Sequence, residues 1–182
     1  MKRLFAITAL VFLTVAAIAG QPFKAEKGSK ITVSGTSTMH DWTMVSEDVK
    51  VDASIADGGA TIEGLKLSLP VNTLKSHKSG MDDNAYKALK SDKNPQITFN
   101  LKTSQAKGSS LVQGAGKLTI AGVTKDISLD GKLEPLADGK YKLTGSYTLD
   151  MEVYSVEPPS FMFGTVSTGK EVTITYEIIL IK

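Results

Sequence analysis

Hydrophobic and polar residues alternate with a period of two along most of this chain. The alternation is clear in seven segments: 49–55, 65–71, 97–101, 118–120, 127–129, 147–153 and 172–180. Successive side chains of a β-strand point to opposite faces, so each segment would present one apolar and one polar face. The pattern therefore predicts antiparallel strands with one buried and one solvated side.

Short glycine-containing runs separate several of these segments, at 57–59, 107–109, 121–122 and 138–139. Runs of this length and composition are typical of β-hairpin turns. The sequence thus predicts an all-β domain of about eight antiparallel strands, arranged either as a closed barrel or as a sandwich.

One segment breaks the alternation, and its middle reads MDDNAYKALKSDKNP. The spacing of Met81, Ala85 and Leu89 predicts a short amphipathic helix over 82–90. Either of the two adjacent aspartates would cap its start, and the Asn-Pro pair would end it. A helix in a long connection of a β-domain either covers a ligand cavity as a lid or only closes one end of the barrel.

A second irregular segment covers residues 153–169. It contains paired prolines followed by Phe161, Met162 and Phe163. A surface loop rarely exposes three bulky apolar residues in succession, so these side chains would plug the core or meet an apolar partner. Methionine adds a deformable surface that suits ligands of variable shape.

The stretch GTSTMHDWTM, beginning at Gly35, holds the only tryptophan, Trp42, and one of two histidines, His40. Apolar residues occupy odd-numbered positions up to Val33 and even-numbered positions from Trp42 onward. This change predicts a bulge or bend after Gly35, in a first strand that turns a corner of a barrel. His40, Trp42 and Met44 would then share one face, with Trp42 as a core or pocket residue and His40 as a hydrogen-bonded partner near an edge.

Residues 1–19 have the organisation of a secretory signal peptide. Lys2 and Arg3 precede the uncharged apolar run 4–18, and small residues follow at the positions that signal peptidase recognises. The run is short and poorly flanked for a stable membrane span, so a retained anchor helix is the less favoured interpretation. We expect cleavage to leave residues 20–182 as one domain in the periplasm or outside the cell.

Removal of this leader also changes the charge balance. The whole chain has 21 Lys and Arg against 19 Asp and Glu, and the leader contains two of the basic residues. A domain with equal numbers of both signs lacks the basic surface that nucleic acids require, so no nucleic-acid partner is expected. The domain contains no arginine for bidentate phosphate binding and no cysteine for disulfides or lipid attachment.

Candidate catalytic and metal motifs are incomplete. The run GTVSTGK is followed by Glu171 where a phosphate-binding loop requires Ser or Thr, and by a strand pattern where it requires a helix. Ser167 and Lys170 have the spacing of a serine–lysine pair but lack the helix that carries one. His40 and His77 provide too few ligands for zinc. We therefore expect no catalytic residue, no metal and no cofactor.

Five motifs occur in a distinctive order between residues 30 and 180: GTSTMHDW, LKLSLPVNTLKS, MDDNAYKALKSDKNPQITF, GKLTIAGVTKDISL and PPSFMFGTVSTGKEVTITYEI. Together they resemble the YceI-like family of secreted, lipid-binding proteins. The resemblance implies a lipocalin-like antiparallel β-barrel whose internal tunnel holds a long isoprenoid or similar amphiphile. It also implies a periplasmic or extracellular location, often a homodimer, and no catalytic motif.

The leading hypothesis is therefore a non-catalytic carrier of an isoprenoid or other amphiphilic lipid, without a stable membrane anchor. The candidate ligand-binding residues are Trp42, Met44, Leu67, Leu69, Met81, Tyr86, Leu89, Phe99, Tyr147, Phe161, Met162 and Phe163. The alternative is an interaction module with a solidly packed barrel that docks a protein partner through the 153–169 loop. Hydrolysis at His40 is the least favoured hypothesis.

Overall fold

The computed structural model describes residues 20–56, 58–59, 61–161 and 165–182. The expected leader, residues 1–19, lies outside the described residues. Within the described ranges the chain forms eleven strands: β1 (Gln21–Ala25), β2 (Lys30–Ser37), β3 (Trp42–Ser46), β4 (Lys50–Ile55), β5 (Ile62–Pro70), β6 (Gln96–Ala106), β7 (Leu111–Ile120), β8 (Val123–Pro135), β9 (Tyr141–Asp150), β10 (Ser160–Phe161) and β11 (Val166–Ile181).

The same ranges contain one α-helix and three short 3-10 turns. The helix α1 spans Ser79–Ala88, and the turns span Val71–Thr73, Ala137–Gly139 and Met151–Tyr154. No helix in the described part of the chain is long and apolar enough to cross a membrane.

Eight strands close into an antiparallel barrel. Each pairs with the next in the order β1, β4, β5, β6, β7, β8, β9 and β11. The ring closes where Lys24 and Ala25 of β1 pair with Ile181 and Leu180 of β11. β2 pairs with the earlier part of β11, and β3 pairs with β2, so these two strands extend the wall. The barrel prediction is confirmed, and the sandwich is excluded.

The buried face of the barrel follows the predicted alternation. In β4, Val51, Ala53 and Ile55 are buried, and in β11, Ile178 and Leu180 are buried. These alternate side chains point inward because the strand repeat is two residues. The barrel interior is consequently apolar.

Three of the glycine-containing runs form the predicted hairpin turns between β6 and β7, β7 and β8, and β8 and β9, and part of the fourth run lies outside the described residues. The tightest is the two-residue turn at Ala121 and Gly122, where Ile120 pairs with Val123. Both turn residues have positive φ, at 48° and 83°. This conformation matches the twist of the flanking strands.

The predicted bend in the first strand is wrong, because the chain forms a hairpin there. β2 ends at Ser37, and Trp42 begins β3. In this hairpin Val33 pairs with Met44, and Gly35 pairs with Trp42. Directly opposed residues share a face, so the hairpin alone moves the inner face from odd to even positions.

The helix begins three residues earlier than predicted, and neither Asp82 nor Asp83 caps it. Lys78 occupies the N-cap position without a side-chain hydrogen bond. Asp82 is instead buried in the first turn, where its Oδ1 accepts hydrogen bonds from the backbone N (2.8 Å) and Oγ (2.7 Å) of Ser76. The carboxylate therefore ties the helix to the loop before it.

The last predicted strand before the 153–169 loop is also shorter than expected. β9 ends at Asp150, whose side chain accepts a hydrogen bond from the backbone N of Glu152 (2.9 Å) and so starts the Met151–Tyr154 turn. Alternation beyond Asp150 therefore did not mark a strand, because a local side-chain acceptor favoured the turn.

Candidate ligand-binding cavity

The barrel interior contains two adjoining cavities. The larger, which we call the wide chamber, has a volume of about 340 Å³, and the smaller, the narrow chamber, about 130 Å³. Val33, Ile97 and Ile174 line both, and we call this position the waist. The wide chamber has the size of a small-molecule site. The barrel is therefore not packed solid, whereas the alternative hypothesis of an interaction module requires a solidly packed barrel.

Helix α1 and the β2–β3 hairpin form much of the wide chamber. Met81, Ala85 and Leu89 line it from the helix, as their spacing predicted. Trp42 and Met44 line it from β3. The chamber thus brings together residues of a helix and a strand that are distant in sequence.

A small group of polar side chains also borders the wide chamber: Ser37, His40, Lys78, Asn84 and Thr168. Lys78 directly precedes α1, and His40 lies in the loop between β2 and β3. Both are at least partly exposed to solvent. This side of the chamber can therefore contact a charged or polar group while the rest of the lining remains apolar.

Trp42 is held in place by its partner strand. Its indole Nε1 donates a hydrogen bond to the backbone O of Thr36 (3.0 Å). Its ring covers Gly35, where a Cβ atom would lie 2.5 Å from the ring carbon Cζ2. Only a glycine permits this close approach, so Gly35 determines where the ring can lie.

The narrow chamber is lined by four of the predicted residues, Leu67, Leu69, Phe99 and Tyr147. Of these, Phe99 lies over a glycine in the neighbouring strand, Gly116, where a Cβ atom would be 2.7 Å from the ring carbon Cζ. A larger residue at Gly116 would push the ring toward the lumen. The glycine therefore helps to keep the chamber open.

Tyr176 has the same relationship to two glycines. Its hydroxyl lies over Gly145 and Gly131, and it donates a hydrogen bond to the backbone O of Asp130 (3.2 Å). Burial raises the pKa of this hydroxyl to about 12, so it stays protonated. Sequence reasoning missed these contacts, although glycines inside alternating strands are a signal of close approach.

Tyr86 lies outside both chambers, although it was expected to contact ligand. Its hydroxyl is 2.6 Å from the backbone O of Leu74 and 3.0 Å from that of Asn72, and it accepts a hydrogen bond from Lys75 Nζ (2.8 Å). These contacts hold the chain before α1 against the helix. The side chain therefore has a structural position, and its contact with a ligand stays a prediction.

For the three candidate ligand-binding residues of the 153–169 loop, Phe161, Met162 and Phe163, the structure describes no side-chain geometry. Phe161 belongs to β10, where it pairs with Val166 of β11, and only its backbone is described. Met162 and Phe163 lie outside the described residues. Their contact with ligand stays a prediction.

His40 is not part of a catalytic triad within the described ranges. Its Nδ1 lies 2.8 Å from the backbone O of the adjacent Asp41, and its backbone O accepts a hydrogen bond from Ser37 Oγ (2.8 Å). No group of three or more His, Asp or Glu residues converges in the searched ranges in a way that could hold a metal ion.

The Ser167–Lys170 pair lies inside β11, and Lys170 Nζ forms a 2.8 Å ion pair with Asp150. The pair is therefore carried by a strand and not by a helix.

Tyr154, which sequence reasoning did not select, lines the wide chamber from the Met151–Tyr154 turn. It is only 1% exposed. Burial raises the pKa of its hydroxyl to about 12, and the nearby Tyr147 makes a smaller contribution in the same direction. Nothing in the local sequence indicated an inward tyrosine, because its orientation depends on the turn that ends β9.

Solved structures share this architecture. The crystal structure of Burkholderia cenocepacia BcnA aligns over 85% of this chain and 98% of its own, with a TM-score of 0.74 and 14% identity. The YceI protein of Campylobacter jejuni aligns over 100% and 94%, with a TM-score of 0.63 and 16% identity. A polyisoprenoid-binding domain from Saccharophagus degradans aligns over 87% and 97%, with a TM-score of 0.67 and 12% identity.

At these identities the structural similarity establishes the fold alone. Comparison with curated protein sequences finds no significant match. The sequence itself, however, matches the model of the YceI-like domain over residues 14–180, which is nearly the whole chain. This protein therefore belongs to the YceI-like family.

Proposed function

We propose that this protein binds and carries a long-chain isoprenoid or other amphiphilic lipid in its barrel, without catalysis. The observation that supports this most is the pair of adjoining apolar chambers that meet at Val33, Ile97 and Ile174. Two adjoining and mostly apolar chambers suit an extended hydrocarbon chain better than a compact polar metabolite.

The energetics favour such a ligand. Each buried CH₂ group contributes about 0.8 kcal/mol. About ten buried carbons would therefore outweigh the several kcal/mol that association costs. Apolar walls are sufficient for this purpose, and few directed polar contacts are needed.

The polar group of the amphiphile would lie beside Lys78, His40 and Asn84, which border the wide chamber near the start of α1. A lysine and a histidine at least partly in contact with water can solvate a charged or polar head group at low cost. The hydrocarbon chain would then extend past the waist into the narrow chamber.

The structural similarity to the polyisoprenoid-binding domain of Saccharophagus degradans supports an isoprenoid in particular. The organisation of residues 1–19 supports export, so the carrier would act in the periplasm or outside the cell. Homodimerisation, which the family resemblance implies, is part of the same proposal.

Native mass spectrometry of the protein purified gently from its own host tests the proposal. We expect an adduct that dissociates on activation and that solvent extraction identifies as an amphiphilic lipid. A clean apo mass, with no uptake from a host lipid extract, would reject lipid carriage and direct the search toward a protein partner.

A matched pair of variants connects the adduct to the lumen. Phe99 is buried and lines the narrow chamber, whereas the next residue, Asn100, is exposed on the outer face. Phe99→Arg should abolish lipid uptake, and Asn100→Arg should leave it unchanged. A folded Phe99→Arg protein that retained full uptake would place the ligand elsewhere.

A further inference from the structure

The narrow chamber ends between two layers of inward side chains on β9 and β11. Ile178 of β11 and Leu143 of β9 line the chamber and pair directly with each other. The next inward residues, toward the end of the barrel where β1 joins β11, are Leu180 and Tyr141. These two also pair with each other, and they line neither chamber. The floor of the chamber therefore lies between the two pairs.

The neighbouring strand β8 places the floor at the same depth. Gly131 lines the narrow chamber, whereas Leu133, the next inward residue, lines neither chamber. Leu133 is buried and pairs directly with Leu143. Three adjacent strands thus agree on where the chamber ends.

Packed side chains fill the barrel below this floor, and we call them the plug: Phe23, Leu133, Tyr141 and Leu180. The ring of Phe23 meets that of Tyr141 edge to face, with the centroids 5.4 Å apart. Gly59, between β4 and β5, lies against the same tyrosine, where a Cβ atom would be 2.6 Å from the ring carbon Cε1. Protein interiors packed in this way leave no room for a ligand chain.

The two ends of the cavity differ in their access to solvent. Ile62 and Val112 line the narrow chamber at the starts of β5 and β7, and each is 5% exposed. Met39, which lines the wide chamber beside His40, is 70% exposed. A lipid chain would therefore enter through the wide chamber and end against the plug.

The strand β11 gives the depth of this tunnel, because it passes along both chambers. Thr168 lines the wide chamber, and Ile178 lies at the floor of the narrow chamber. Their ten-residue separation, at about 3.3 Å per residue and a strand tilt of about 40°, corresponds to a depth of about 25 Å. A hydrocarbon chain longer than this would leave its surplus carbons in water.

We propose that the plug sets the maximum chain length of the bound lipid, and that Leu143, at the floor above the plug, is a specificity-determining residue. This inference rests on the proposed function and narrows its ligand class to amphiphiles whose hydrocarbon chain fits within the two chambers. Each buried CH₂ group strengthens binding only until the chain reaches the floor. Selection by length then requires no polar contact with the chain.

Prenyl alcohols of increasing length test this proposal: geraniol, farnesol, geranylgeraniol, geranylfarnesol and longer polyprenols. In a competition assay, the Kd of the wild-type protein should fall with each added isoprene unit and level off at the alcohol that reaches the floor. Leu143→Ala removes carbons at the floor and deepens the chamber. The first alcohol beyond the wild-type limit should therefore bind this variant about tenfold more tightly than the wild-type protein.

Leu149→Ala is the matched control. Leu149 lies on the same strand and is equally buried, but it lines the wide chamber. The substitution adds the same volume without adding depth, so it should change the affinity for all of the alcohols alike and leave the length limit where it is. Equal shifts of the limit in the two variants, or a wild-type affinity that increases without a limit through the series, would overturn the role of the plug.

A measurement on the wild-type protein keeps the test decisive if Leu143→Ala does not fold. In the complex with the longest alcohol that fits, nuclear Overhauser contacts should connect the terminal methyl groups of the ligand to those of Leu143 and Ile178. Terminal methyl groups that contacted Val33 at the waist instead would show that the chain stops short of the floor, and the inference would be wrong. If the wild-type protein bound no alcohol of the series and no lipid from the host extract, the proposed function itself would fail, and the length limit with it.

Discussion

The indole ring of Trp42 lies directly over the Cα atom of Gly35, its cross-strand partner in the β2–β3 hairpin. A Cβ atom at Gly35 would lie 2.5 Å from Cζ2 and 2.8 Å from Cε2 of the indole. Trp42 lines the wide chamber, so this glycine determines the shape of the chamber wall.

Gly35→Ala should therefore displace the indole and destabilise the protein by about 1–3 kcal/mol. Trp42 is the only tryptophan, so its fluorescence spectrum reports the displacement directly. Urea unfolding gives the change in free energy. Gly64→Ala in β5 is the matched control, because its Cβ atom would meet nothing within 4 Å. Equal effects of the two substitutions would contradict the ring–glycine contact.

A larger side chain at the waist should close the narrow chamber to ligand. Ile174→Phe adds volume where the chambers meet, and the end of a long chain would then be excluded. Since each buried CH₂ contributes about 0.8 kcal/mol, loss of several carbons should weaken geranylgeraniol binding about tenfold or more. Geraniol, which is short enough for the wide chamber, should be much less affected.

Thr175→Phe is the control for this experiment, because the next residue along β11 faces the opposite side of the barrel wall. It should leave the affinity for both alcohols unchanged in a competition assay. If Ile174→Phe weakened geraniol and geranylgeraniol equally, the ligand would not extend through the waist.

Acid should loosen α1 through Asp82. Burial alone would raise the pKa of this carboxyl, but the hydrogen bonds from the Ser76 side chain and backbone and the charge of Lys75 together lower it below its usual value. Because the folded pKa is lower than the unfolded one, the stabilisation is present above about pH 4 and is lost as the pH falls through the folded pKa. Hydrogen exchange of the α1 amides, corrected for intrinsic rates, should accelerate in that range.

Asp82→Asn removes the charge while preserving the size of the side chain. We expect faster exchange of α1 already at neutral pH, corresponding to a loss of about 1.5–3 kcal/mol for hydrogen bonds to a charged group. Asp83→Asn is the control, because Asp83 is exposed on the same helix turn. Wild-type protection of α1 in Asp82→Asn would show that the carboxylate does not hold the helix.

Removal of the Tyr86 hydroxyl should affect stability and not ligand affinity. Tyr86→Phe leaves the backbone O of Leu74 and the Lys75 ammonium without their shared partner. The free energy of unfolding should fall by about 1–2 kcal/mol in urea titrations. The affinity for geranylgeraniol should change by less than about twofold, since the ring lies outside both chambers. If Tyr86→Phe lost affinity for geranylgeraniol while its stability stayed unchanged, Tyr86 would contact the ligand and this prediction would be wrong.

Much of the fold could be predicted because strand periodicity and turn chemistry are local. The alternation in β4 and β11 identified inward residues such as Val51 and Ile178, both buried. The helical spacing of Met81, Ala85 and Leu89 identified the face of α1 that lines the wide chamber. The start of α1 was wrong because Asp82 bonds to Ser76 instead of capping the helix.

The sequence by itself determined most of the long strands, several of the hairpin turns, the apolar face of the helix and the family. Only the tertiary structure decided that β2 and β3 form a hairpin, that Val33, Ile97 and Ile174 meet at one waist, and that Tyr154 is buried in the wall of the wide chamber. The physical reason is that periodicity depends on neighbouring residues. A cavity depends on strand register and barrel closure, which bring together side chains far apart in the chain.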